Sequence, residues 1–159
     1  MVMTHKITIG LFFFISIFTS AVSAEEQKRS FMTAADLPSF GNPPADKRFA
    51  YGEDQFQFAD LRVPKGPGPH PVIILIHGGC WLSQYDIVHA GKLAKGFADN
   101  GIATWSLEYR RVGNEGGGWP GTFQDIANGA DHLLKVAKEN ALDTSRLIVS
   151  GHSAGGHWR

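Results

Sequence analysis

The chain reads as an α/β protein, a mostly parallel sheet with flanking helices. Three observations predict this. Short apolar runs at residues 72–76, 102–107 and 147–149 have the length and content of buried strands. Ala90, Leu93, Ala94, Phe97 and Ala98 recur at helical spacing, as do Ile126, Ala130, Leu133, Leu134 and Ala137. With two further strands near residues 48–51 and 55–63, the order is β-β-β-α-β-α-β, and parallel strands joined by helical crossovers accommodate it most simply.

Each element has local support. Phe56 and Phe58 alternate, whereas Leu61 and Val63 fall on the opposite phase, so a bulge is expected within that strand. Residues 65–70, Lys-Gly-Pro-Gly-Pro-His, form a turn into the next strand. Asn100-Gly101 ends the first helix. A loop at 110–119 carries Gly113, Gly116, Gly117 and Gly118. Thr122 is the expected N-cap of the second helix, with Asp125 three residues on. Residues 143–146 turn into the last strand.

The 159 residues allow one domain, and 43% hydrophobic content places it among globular chains. Fifteen basic and fifteen acidic residues give no net charge, so neither a nucleic-acid-binding stripe nor an acidic tail is indicated. A single cysteine excludes an internal disulfide. Residues 1–24 read as a secretory signal peptide: Lys6 supplies the basic start, 7–18 the apolar core, and Val22-Ser23-Ala24 the cleavage site. The competing reading is an uncleaved membrane anchor, but the run is shorter than the roughly 20 residues a span requires. No cysteine follows that would carry a lipid. The expected location is secreted or periplasmic, with no stable membrane association after cleavage. Residues 25–46, with Pro38, Gly41, Pro43 and Pro44, read as an N-terminal arm or linker. The domain then occupies 47–159.

Two motifs carry chemistry. Residues 147–149 run into Gly151-His152-Ser153-Ala154-Gly155, the G-x-S-x-G pattern of a nucleophile elbow. Gly151 and Gly155 leave room for a sharp strand-to-helix turn that lifts the Ser153 hydroxyl above the sheet. The helix after the turn would aim its N-terminus at a developing oxyanion. Upstream, residues 72–76 run into His77-Gly78-Gly79-Cys80-Trp81. Acyl transfer needs N–H donors where negative charge appears on the substrate oxygen. The Ala154 N–H would supply one, and the Gly78-Gly79 backbone the others, since glycine permits close approach.

These motifs resemble those of the α/β-hydrolase superfamily, in its esterase/lipase branch with an H-G-G-x-W oxyanion loop, the hormone-sensitive-lipase-like and kynurenine-formamidase-like group. The resemblance runs from about Lys47 to the last residue and covers the first half of that fold, an α/β-hydrolase domain truncated after the elbow. It implies a serine nucleophile at Ser153, a loop-shaping rather than catalytic role for His77, and no cofactor or metal. In the resembling family the triad acid and histidine come after the serine. Only six residues follow Ser153 here, with no Asp or Glu and with His157 only four positions on, in the helix after the elbow, so the 159 residues by themselves are expected to be inactive.

Other residues are weighed against plainer roles. His152 is expected to point away from the Ser153 hydroxyl, and His157 to start the helix after the elbow. Cys80 has no evident base to activate it. Trp81 and Trp119 either line an acyl pocket or pack under loops. The glycines at 113–118 lack the Gly-Lys-Ser/Thr of a phosphate loop, and no HExxH or CxxC implies a metal. The expected function is hydrolysis of small-molecule carboxylic esters. Aryl formamidase, serine peptidase or acyltransferase, and a non-catalytic fragment or binding module stay open, as does the oligomeric state.

Overall fold

Five strands form one sheet in the order β1-β2-β4-β3-β5 in the computed structural model, which describes Asp36, Ser39 and residues 41–158. They are β1 (Lys47–Ala50), β2 (Phe58–Arg62), β3 (His70–Ile76), β4 (Ala103–Leu107) and β5 (Leu142–Gly151). β4, β3 and β5 run parallel, and this is the part that carries both motifs. The β1–β2 hairpin joins β4 through antiparallel pairing. The signal-peptide reading of residues 1–24 lies outside the described residues.

Helix α1 (Gly91–Asp99) links β3 to β4, and α2 (Gly121–Val136) links β4 to β5. The chain steps from β3 to β4 in one direction and from β4 back past β3 to β5 in the other. Crossovers of one hand run in opposite directions place their helices on opposite faces. The alternation of β3 shows this. Val72, Ile74 and Ile76 join the core on the α2 side with Trp105, Leu107, Ile126 and Leu133. Ile73 and Leu75 pack with Ala94, Phe97 and Ile102 on the α1 side. A strand covered on both faces has to be apolar at every position, which is why residues 72–76 show no alternation.

Trp105 anchors the larger core. It is fully buried, and its indole N–H donates to the Gly129 carbonyl at 2.9 Å. A side chain at Gly129 would press on Leu107 and the Tyr51 ring, so α2 gives up helix propensity there to lie close on β4. Trp105→Ala is expected to cost about 3–5 kcal/mol, read as a lower urea midpoint. An unchanged midpoint would contradict this role for Trp105.

Several local expectations are corrected. Phe56 lies in the turn before β2, not in the strand, and the β1–β2 register is continuous, so no bulge is needed. The irregularity is instead between Pro71 and Val72 of β3, opposite 143–147: Asp143 pairs with Pro71, and Leu147 with Val72. The expected turn at 143–146 is therefore an interruption within a longer β5. There the Asp143 carboxylate accepts from the Ser145 hydroxyl and from Arg146 Nε, which pushes its pKa down to about 2.

The α2 start also differs. Pro120 occupies the N-cap and Thr122 is buried in the first turn, where its hydroxyl donates to the Arg110 carbonyl. Asp125 does not close a capping box. It is fully buried and accepts from the Arg110 backbone N–H, the Arg110 guanidinium and Gln57 Nε2. Leu93 and Leu134, counted on the apolar faces, are 54% and 57% exposed. In β5, expected to be buried, Ile148 and Val149 are 59% and 42% exposed. Among the described residues β5 pairs with β3 alone, which leaves its outer flank uncovered.

Candidate active site

β3 and β5 are parallel neighbours, and the pairing of Ile76 with Gly151 brings their carboxyl ends level. The two loops leaving those ends must therefore meet. His77-Gly78-Gly79 leaves β3, and His152-Ser153-Ala154 leaves β5. The His152 backbone N–H donates to the Ile76 carbonyl at 3.1 Å, extending the pairing one residue past the strand. A Cβ placed on Gly78 would lie 2.6 Å from the His152 carbonyl oxygen and 3.0 Å from Ser153 Cβ. Glycine is required at 78 because the two loops touch.

The turn itself has the strain its motif implies. Ser153 has φ +51°, the left-handed region that non-glycine residues seldom occupy. Substitution at Gly151 would drive a side chain into the Gly155 carbonyl, and at Gly155 into the Ile76 carbonyl. The Gly155 N–H donates to the His152 carbonyl at 2.8 Å and closes the turn. Ser153 is exposed and Ala154 buried. The segment after the turn is a 3-10 helix, Ser153–Trp158, so His157 lies in its last turn rather than its first.

The loop after β3 is strained as well. Gly79, Cys80 and Trp81 all have positive φ, at 125°, 52° and 61°. A side chain on Gly79 would collide with Tyr85. Cys80 and Trp81 are exposed and border an open cleft of about 500 Å³ with Ser153, Ala154, Gly156 and His157. Both motifs thus open on one space. Trp119 and Phe123 adjoin it: Trp119 packs edge-on to Phe123 at 4.7 Å, and His157 stands edge-on between Phe123 and Trp81 at 6.3 and 6.2 Å. The tryptophans therefore wall a smaller hollow of about 210 Å³ beside the cleft rather than packing beneath loops. Trp119 is 80% exposed.

His77 is not at the surface of this cleft. It is 1% exposed, its ring stacked on Tyr109 at 4.4 Å. Nδ1 lies 2.7 Å from the Gly78 carbonyl oxygen, and Nε2 lies 3.1 Å from Glu108 Oε1. No hydrogen bond joins the rings of His77 or His152 to the Ser153 hydroxyl among the described residues. His152 Nδ1 instead lies toward Gly78.

Sequence alone did not single out Glu108, Tyr109 and Arg111. All three are buried. The Glu108 carboxylate accepts from the Ile87 and Tyr109 backbone N–H groups, both at 2.9 Å, and from Arg111 Nη1 at 2.5 Å. The Tyr109 hydroxyl donates to the His77 carbonyl at 2.5 Å. Burial pushes the Tyr109 phenol pKa up, the charge of Glu108 adding to the rise, so the group stays a donor. The only signal in the sequence is a charged pair, Glu108 and Arg111, at the end of an apolar run. Among the described residues no cluster of three or more His, Cys, Asp or Glu side chains could hold a metal ion.

A sheet of this order, with helices on both faces and a strained serine turn at the carboxyl end of a parallel strand, is the architecture of the α/β-hydrolases. Residues 59–158 match the BD-FAE family model, and the chain belongs to that family of α/β-hydrolase esterases. It is 26% identical over 113 residues to Esterase LipC of Mycobacterium tuberculosis, covering 70% of this chain and 28% of that protein. Neutral cholesterol ester hydrolase 1 of Pongo abelii is 29% identical over 133 residues, covering 76% of this chain and 32% of its own length. Among solved structures, the propionate-bound Est2 esterase of the Planctomycetes species Thermogutta terrifontis superposes with a TM-score of 0.65 at 21% identity. It covers 72% of this chain and 44% of that one, and it supports the fold. The chain spans about a third or less of the curated relatives it matches.

Proposed function

We propose that the protein hydrolyses carboxylic esters of small molecules, with Ser153 as nucleophile and the backbone N–H groups of Ala154, Gly78 and Gly79 as oxyanion donors. The observation that carries this is the left-handed Ser153 turn packed against Gly78 at the mouth of the shared cleft. The serine oxygen attacks the ester carbonyl carbon, and the carbonyl oxygen takes up negative charge. The tetrahedral intermediate then expels the alcohol, and water releases the acid from the acyl-serine. Serine is a weak nucleophile until a base accepts its proton. The rings of His77 and His152 are engaged away from Ser153, so the base and its acid partner are proposed to come from outside the described residues, in the superfamily order of serine, acid, histidine.

The same constellation would attack an N-formyl amide or a peptide bond. Kinetics on short acyl esters, N-formyl aryl amides and peptides separate these, with esters expected to be turned over fastest. An organophosphonate should modify Ser153 of the full-length protein. Labelling elsewhere, or none, would contradict the nucleophile assignment.

We also propose export, from the basic, apolar and small-residue succession at 1–24. N-terminal sequencing of the mature protein should begin at Glu25. A chain beginning at Met1 would refute it.

A further inference from the structure

We infer that Glu108 and Tyr109, which come directly after β4, are positioning residues that orient the two peptide groups offering the Gly78 and Gly79 N–H donors. This rests on the proposed role of the 78–79 loop as an oxyanion site. A trans peptide is planar, with its C=O and N–H directed oppositely. Holding the carbonyl oxygen of one residue therefore fixes the direction of the next residue's N–H.

The structure holds both carbonyls. The Tyr109 hydroxyl donates to the His77 carbonyl at 2.5 Å, so Tyr109 orients the peptide that ends in the Gly78 N–H. His77 Nδ1 lies 2.7 Å from the Gly78 carbonyl oxygen, which can only accept, so Nδ1 carries the proton. This contact orients the peptide that ends in the Gly79 N–H. The other ring nitrogen, Nε2, faces a second acceptor, Glu108 Oε1 at 3.1 Å, so both ring nitrogens serve as donors in these contacts, and the ring is stacked on Tyr109. Glu108 sets the ring, the ring sets the carbonyl, and the carbonyl sets the donor.

Glu108 suits this role because its carboxylate is buried among donors. The Ile87 N–H, the Tyr109 N–H and Arg111 Nη1 converge on it. Ionised carboxylate is acceptor-only and satisfies them all. An amide in its place would turn an NH₂ toward at least one of them. Arg111 supplies the opposite charge that a buried carboxylate requires, with its guanidinium over the Phe56 ring at 5.1 Å. The loop it steadies has positive φ at Gly79, Cys80 and Trp81, a conformation that persists only when its surroundings over-determine it.

Tyr109→Phe and Glu108→Gln in the full-length enzyme test this, assayed well below each variant's unfolding midpoint. Tyr109→Phe keeps the stacked ring and removes only the hydroxyl, so it serves if Glu108→Gln fails to fold. Each is expected to lower kcat about 10- to 100-fold, with KM within about threefold. Affinity for a boronic acid transition-state analogue should fall in step with kcat. Glu108→Gln combined with His77→Asn should lose less than the product of the single losses, because both cut one link. Folded variants with parental kcat and analogue affinity would overturn the inference, as would multiplicative losses in the double variant for its Glu108–His77 link. Ser153→Ala run in parallel separates the two levels. If it retains turnover, the nucleophile reading fails. If it abolishes turnover while Tyr109→Phe and Glu108→Gln are silent, only the positioning inference fails.

Discussion

Replacing Ser153 by alanine in the full-length protein should lower ester turnover by about six orders of magnitude, the loss seen when a serine protease triad is stripped of its nucleophile. The methyl group offers no electron pair, so no acyl-enzyme forms. What persists is whatever the oxyanion donors and the cleft contribute without covalent catalysis. Folding should be preserved, because the Ser153 side chain is exposed and makes no hydrogen bond among the described residues. Alanine at φ +51° carries strain similar to that of serine, so the thermal midpoint should move little. The measurement is kcat on a short acyl ester beside a melting curve. Turnover within tenfold of the parent by well-folded Ser153→Ala would end the assignment.

Gly79→Val should lower kcat by about 10²- to 10³-fold, the effect of one lost oxyanion donor. Two features of the structure act together. Gly79 has φ +125°, which a β-branched residue does not adopt, and any side chain there would strike Tyr85. The backbone must rotate to relieve both, and the Gly79 N–H turns with it. Interactions made only in the transition state affect kcat rather than KM. A variant altered in KM alone would mean that Gly79 shapes substrate binding instead.

Ser153 and Gly79 were both legible in the sequence, for the same steric reason. Ser153 and its flanking glycines stand in consecutive positions, so the elbow could be read directly: a turn that admits no side chain at Gly151 or Gly155 writes glycine at both. The same holds for Gly78 and Gly79 after β3. The double-faced burial of β3 was equally plain, since a strand covered on both sides shows an unbroken apolar run. Helical periodicity located α1 and α2 but misjudged Leu93 and Leu134. Period fixes which residues share a face, not how wide a stripe the sheet covers.

Contacts distant in sequence set the limits. Thr122 and Asp125 have the spacing of a capping box, yet both are drawn to Arg110, from the loop after β4. A buried guanidinium-bound carboxylate gains more than an exposed cap, and that competition cannot be seen locally. Phe56 broke the expected alternation because it belongs to the turn before β2.

Sequence alone determined which residues are chemically capable: a serine on a glycine-flanked turn and a glycine loop behind an apolar strand. Tertiary structure decided what surrounds them. Parallel pairing of β3 with β5 set Ile76 opposite Gly151 and pressed Gly78 against Ser153. The neighbouring β4 carried Glu108 and Tyr109 beneath the loop, 31 and 32 positions from the His77 they hold. Local sequence records the steric demands a residue makes on its own backbone. Partners chosen by strand order leave no such mark, because any acceptor of the right reach on the adjacent strand would satisfy them.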